Sequence, residues 1–260
     1  MARKRTATEG MSRFESKSAG VWLLAAGVFG ILLLGHLVAS YENLLRPRLA
    51  ELIESRIITN DRDGPTFLWY FTNQSNFIAD LYLILFAAGS FGNSKLRSLT
   101  RNALVRAAVT VPIIATGLVY CTMLLPFARA PFPFERGIWF SNFVNIWSHM
   151  LLPLLFAVLW FVPMTAERLK PVKTALTAMI YPLCYLAVSA VRGAVDGFYP
   201  YPFLNSRKLW EVFFGEKPYS AAIAVPLFVC GLLVLTALFF GIGCALAAIR
   251  VRRLLKAEKD

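Results

Sequence analysis

The sequence predicts an all-α polytopic membrane protein: a single domain over residues 1–260, built as a bundle of six transmembrane helices with both termini cytoplasmic. Three observations carry this. Of the 260 residues, 57% are hydrophobic and only 16% charged, a balance that belongs to membrane proteins rather than soluble domains. The apolar residues gather into six long runs, each near or above the ~20 residues that cross ~30 Å of hydrocarbon. The formal charge of +12 is one-sided, with 17 basic and 5 acidic residues on the tails and the second and fourth connections, Arg106 and Arg250 at the adjoining span edges included, against 9 of each on the other side. That asymmetry is the positive-inside pattern. It makes the basicity a topology signal with anionic phospholipid head groups at the cytoplasmic face as its partner, and excludes nucleic acid as the reason for it.

The spans are expected at 20–40, 66–89, 105–127, 141–163, 174–195 and 221–251, with short basic tails at 1–19 and 252–260. The first follows Arg3, Lys4 and Arg5 but is longer than the 7–15 apolar residues of a signal peptide, so it reads as a span. The last is long enough to tilt or to project from the bilayer. No repeat, low-complexity tract or linker divides the chain. Cys121, Cys184, Cys230 and Cys244 all fall within spans without a CxxC pair and read as packing residues. Two outer connections are long: 41–65, with a surface helix expected over 44–58, and 196–220. The latter carries Phe198-Tyr199-Pro200-Tyr201-Pro202-Phe203, and the third connection carries Pro131-Phe132-Pro133-Phe134. These rings form either an interfacial belt or a rigid cap over a cavity.

The second span contains five consecutive polar residues, Thr72-Asn73-Gln74-Ser75-Asn76. Five helical residues sweep around the whole axis, so this turn leaves unpaired groups in hydrocarbon whichever side meets lipid. It must be enclosed by other helices or line a wet cavity. Thr72, Asn76 and Asp80 share one stripe by i, i+4, i+8 spacing; Asn142, Asn145 and His149 form a second on the fourth span. Tyr181, Tyr185, Ser189 and Arg192 form a third on the fifth span, with Asp196 one turn further out. Stripes that reach the outer half of the membrane from three spans predict one polar chamber. Hydrogen bonds that merely hold the bundle together are the plainer alternative, above all for Gln74 and Asn142.

Thr72 and His149 lie at similar depth, ~9 and ~12 Å below the outer ends of their spans. A Thr hydroxyl becomes nucleophilic when a neighbouring base takes its proton, and neutral His is such a base. Asn73, Asn76, Asn145 and Arg192 are the candidate donors to an oxyanion, and Tyr181 and Tyr185 line the same chamber. No metal or cofactor is expected. The chain has two histidines, too few for a three-His zinc site; a mixed site would need His36, His149 and Asp80 to converge, and haem ligation would use both histidines at once.

The run Tyr70-Phe71-Thr72-Asn73-Gln74-Ser75-Asn76, then His149 with Pro153, Tyr181-Pro182 with Tyr185, Arg192-Gly193 and Tyr201-Pro202-Phe203 resembles the family that includes the androgen-induced gene 1 protein and its bacterial relatives. The resemblance covers roughly 66–205. It implies a multi-pass membrane threonine hydrolase of fatty acid esters of hydroxy fatty acids, with the essential Thr at Thr72 and the essential His at His149. The chain departs from the animal members in the polar residues that follow Thr72. The expectation is therefore an integral membrane esterase, of the plasma membrane or of the inner membrane if bacterial, that takes a lipid substrate from the bilayer. The alternative is a non-enzymatic carrier or lipid-binding protein that uses the same chamber, with Asp80 as a proton carrier.

Overall fold

A computed structural model describes residues 17–39, 69–124, 139–162 and 168–259. Within them the chain is helical, with no strand. Four helical segments are long and apolar enough to cross a membrane: Ala103–Thr122, Phe143–Trp160, Pro171–Asp196 and Ala221–Lys256. The expected surface helix at 44–58 and the Pro131 to Phe134 loop lie outside the described residues. So do the side chains of His36 and Asn142.

The first helix, α1 (Lys17–Ala39), packs along α2 (Phe71–Ser90). Two glycines of α1 make the approach possible: a Cβ on Gly27 would come to 2.6 Å from the Asp80 carbonyl oxygen, and one on Gly30 would overlap the Asp80 carboxyl group. α2 is 20 residues long but falls short of the apolar spans because its first turns are the polar run. Its buried residues include Ser75, Asn76, Asp80 and Leu83, so Ser75 and Asn76 of the polar run are covered by neighbouring helices while Thr72, Asn73 and Gln74 are half-buried.

Asn93 caps the short α3 (Ser94–Arg101) by accepting from Leu96 N at 3.0 Å. Asn102 then caps α4 (Ala103–Val119), accepting from Leu104 N and Val105 N. Each cap satisfies amides that have no partner within their own helix. α4 is the central element, packed on α2 and α3, on the long helices Pro171–Asp196 and Ala221–Lys259, and on the end of the fourth apolar run. It is 56% buried over its apolar window and continues into a π turn, Tyr120–Leu124.

The fourth run is one path in three pieces: α5 (Trp139–Ile146), a π turn (Trp147–Leu151) and α6 (Leu152–Phe161). Pro153 explains the break. It has no N–H for the His149 carbonyl four residues earlier, and its ring crowds that oxygen. The ladder widens there by a residue.

α7 (Pro171–Asp196) opens on a proline that already has the helical φ and ends at Gly197, whose φ of 78° is left-handed. A 3-10 turn (Pro202–Leu204) leads to α8 (Ser206–Phe214), capped by Asn205. α9 (Ala221–Lys259) has 39 residues, roughly 58 Å of helix. Its apolar window is only 6% buried, which places it at the periphery against α7, α4 and α8.

Two apolar clusters hold the bundle. Leu23, Leu83, Ile113 and Phe156 join α1, α2, α4 and α6. Val111, Trp160, Ala178 and Leu246 join α4, α6, α7 and α9. Many large apolar side chains point outward, among them Leu176, Ile180, Val191, Leu233 and Val234, as expected where the solvent is lipid. Arg106, at the edge of an expected span, is only 3% exposed. It donates to Leu159 O at 2.7 Å and to Trp160 O and Val162 O. A cation on the last carbonyls of α6 favours both the open acceptors and the helix dipole.

Candidate active site

α2 starts with Tyr70 as an extended N-cap that offers no side-chain cap. Asn73 N and Gln74 N both reach Tyr70 O at 3.1 Å. Thr72 N is left for a tertiary partner, and donates to the Tyr201 hydroxyl at 3.4 Å. Thr72 Oγ1 lies 3.5 Å from the same hydroxyl. The Tyr201 ring is fixed by stacking on Phe203, with centroids 5.0 Å apart and planes at 8°, and by an edge contact with Tyr70 at 5.6 Å. Burial pushes its phenol above the ordinary value, against the opposing pull of its bonds to Thr72.

The Thr72 carbonyl accepts from Ser75 Oγ at 3.0 Å and from Asn76 Nδ2 at 2.8 Å. Asn76 Nδ2 also donates to Ser148 O at 3.1 Å. Asn76 therefore joins the nucleophile candidate's turn to the residue before His149. With both amide protons so engaged it has none for an oxyanion, and its role is to position. Ser75 Oγ meets Thr116 Oγ1 at 3.1 Å, which ties α2 to α4.

His149 sits in the π turn of the fourth run. Its Nδ1 lies 3.0 Å from Asn145 O. A carbonyl only accepts, so Nδ1 carries a proton, and the neutral ring presents Nε2 as the base. The ring stacks on Tyr120 at 4.3 Å, and Tyr120 OH accepts from Asn145 Nδ2 at 2.7 Å. A Cβ on Gly117 would come within 2.8 Å of Pro153 Cβ and 3.0 Å of His149 O. Only a glycine lets α4 approach the widened turn so closely. No hydrogen bond joins Thr72 to His149; the two are linked through Asn76.

The third stripe meets the outer end of α2. Tyr181 OH donates to Gln74 Oε1 at 3.3 Å and its ring stacks on Phe71 at 5.0 Å. Tyr185 OH donates to Trp69 O at 2.9 Å. Asn73 is half-buried on the same turn. Arg192 lies between Trp69 and Phe198, 4.1 and 4.3 Å from the ring centres, and binds Asp196 at 2.9 Å. This puts Arg192 at the outer rim, paired with Asp196. Asp80, 1% exposed, has both carboxylate oxygens without a hydrogen-bond partner among the described residues.

The first turns of α2 thus meet the third stripe through Tyr181 and Tyr185 and the turn that carries His149 through Asn76, and two residues outside the expected set lie against them. Tyr201 was visible as one ring of an aromatic-proline loop and in the Tyr201-Pro202-Phe203 motif, with no role attached to it. Tyr120 carried no signal, because a tyrosine in an apolar run reads as core. Among the described residues no group of three or more His, Cys, Asp or Glu side chains is placed to hold a metal ion. Comparison with protein-family models, with curated proteins and with solved structures gives no match.

Proposed function

We propose that the chain is a six-span integral membrane hydrolase, with both termini cytoplasmic, that cleaves a lipid ester through Thr72 and His149. The observation that carries this is the Asn76 bridge. One amide group holds the Thr72 carbonyl and the Ser148 carbonyl, so nucleophile and base are mounted on a common support in the buried half of the bundle. The directed tautomer of His149 adds a base whose free nitrogen is Nε2.

In this reaction Thr72 Oγ1 attacks the ester carbonyl as His149 takes its proton, and the leaving alcohol departs with that proton. The first-turn amide of Thr72 is the nearest donor for the oxyanion, once a substrate oxygen replaces the Tyr201 hydroxyl. The acyl chain enters from the bilayer between helices. Catalytic hydrogen bonds are commonly long before substrate binds, and closure of Thr72 on His149 belongs to that step. The resemblance to the androgen-induced gene 1 family names the ester as one between a fatty acid and a hydroxy fatty acid, in a plasma or bacterial inner membrane protein.

Purified protein in lipid nanodiscs, given such an ester, tests the reading. Hydrolysis is expected from the wild type, with Thr72→Ala slower by about 1000-fold or more. Full activity in Thr72→Ala ends it. A second reading, a carrier, is favoured by the unpartnered Asp80 carboxyl, since ionisable groups in that setting often mark ion paths. Substrate uptake into vesicles that is lost in Asp80→Asn, together with no hydrolysis, selects the carrier.

A further inference from the structure

We propose that Tyr201 is a catalytic residue of the Thr72 reaction, a hydrogen-bond donor that stabilises Thr72 Oγ1 whenever that oxygen carries negative charge. The proposal rests on the hydrolase reading and adds a group that neither the Thr and His pair nor the polar stripes supply. It follows from counting protons. A phenol has one O–H and two lone pairs. Thr72 N–H can only donate, so at 3.4 Å the phenolic oxygen accepts. The phenolic proton is left free for Thr72 Oγ1, 3.5 Å away, a contact in which either oxygen can donate; in the assigned arrangement the phenol donates and the threonine proton goes to the base. Thr72 supplies the one side-chain partner of the Tyr201 hydroxyl, and backbone amides of Phe71 and Thr72 supply the rest. The stacking on Phe203 and the edge contact with Tyr70 hold the hydroxyl there without using it.

The donor matters most in the second half of the reaction. In the first, the Oγ1–acyl carbon bond forms, the ester C–O bond breaks, and the proton taken by His149 leaves with the alcohol. In the second, water gives a proton to His149 and its oxygen bonds to the acyl carbon. The acyl carbon–Oγ1 bond then breaks, and Oγ1 takes the proton back from His149. An alkoxide of threonine is a poor leaving group, and a donor aimed at it lowers the barrier to its departure. Tyr201 keeps its own proton throughout. The Oγ1 contact is long, at the outer limit of a hydrogen bond, and shortens as charge builds on Oγ1, while the Thr72 amide passes to the substrate oxygen.

Tyr201→Phe removes the hydroxyl and keeps the ring. With full-length protein in nanodiscs and a p-nitrophenyl fatty ester, turnover is expected to fall by about 100-fold, with KM falling alongside it and acyl-Thr72 accumulating to levels that mass spectrometry of the intact chain detects. Wild-type turnover in Tyr201→Phe, or a slower enzyme whose KM rises and which shows no adduct, overturns the proposal. 3-Fluorotyrosine at 201 guards against a folding defect: it changes the acidity of the phenol with little change of shape, and an unchanged deacylation rate also overturns the proposal. Failure of the parent reading looks different, because Thr72→Ala then matches the wild type whatever stands at position 201.

Discussion

Thr72 and Tyr201 are 129 positions apart in the chain, and their contact is what periodicity could not foresee. Spacing within a helix fixes which residues share a face, so the stripes of Thr72 with Asn76 and of Asn145 with His149 were legible. It says nothing of which loop folds over that face. The Tyr201 phenol yields a pH prediction with a definite sign. Burial raises its proton affinity, so the protonated, donating form persists to alkaline pH and is lost only above the ordinary ~10 of tyrosine. Hydrolysis by the wild type is expected to hold level up to about pH 10 and to fall above it, while Tyr201→Phe shows no such fall. A pH–rate profile measures both. A wild-type rate that already declines at pH 8 contradicts the assignment, since the donor is then being lost where a buried phenol still holds its proton.

Among the elements, the pairing of α1 with α2 shows how a polar group in a span sets the packing around it. The Asp80 carboxyl lies where a side chain on Gly30 would have to go, so α1 presents bare backbone to it. Gly30→Ala is expected to destabilise the bundle by about 1–3 kcal/mol, read as a shift in unfolding in mixed micelles. Asp80→Ala frees the space, and Gly30→Ala on that background should cost little. Equal costs on both backgrounds would mean that the two residues do not share the contact. The sequence placed Asp80 near mid-membrane on the stripe of Thr72, but its neighbour was hidden because glycine has no hydropathy signature. The π turn at His149 is a comparable case. Pro153 stands in plain view four residues on, yet a proline in an apolar run predicts a kink of unspecified kind. What makes it a widened turn is the close approach of α4 at Gly117, a tertiary fact.

At the scale of the molecule, the helix order places the candidate site on one side of the bilayer. Helices α2 and α4, joined by the short α3, run in opposite directions, and Thr72 begins α2 at the end away from α3. In the proposed topology, with the basic residues around α3 and at the end of α9 on the cytoplasmic side, Thr72 and its Tyr201 cover would belong to the outer half of the membrane. Arg250, Arg252 and Arg253 near the end of α9 belong to the inner face. The six spans proposed, an even number, would return the C-terminus to the side of the N-terminus, as the charge distribution also proposes. The prediction is tested in intact cells. A membrane-impermeant fluorophosphonate should label the chain at Thr72 without permeabilisation, and a C-terminal epitope should be detected only after it. Labelling that needs permeabilisation, with an epitope exposed from the start, would invert the topology and place the ester on the inner leaflet. An epitope and a Thr72 label both reached from outside would instead require an odd number of spans, and would remove one of the six.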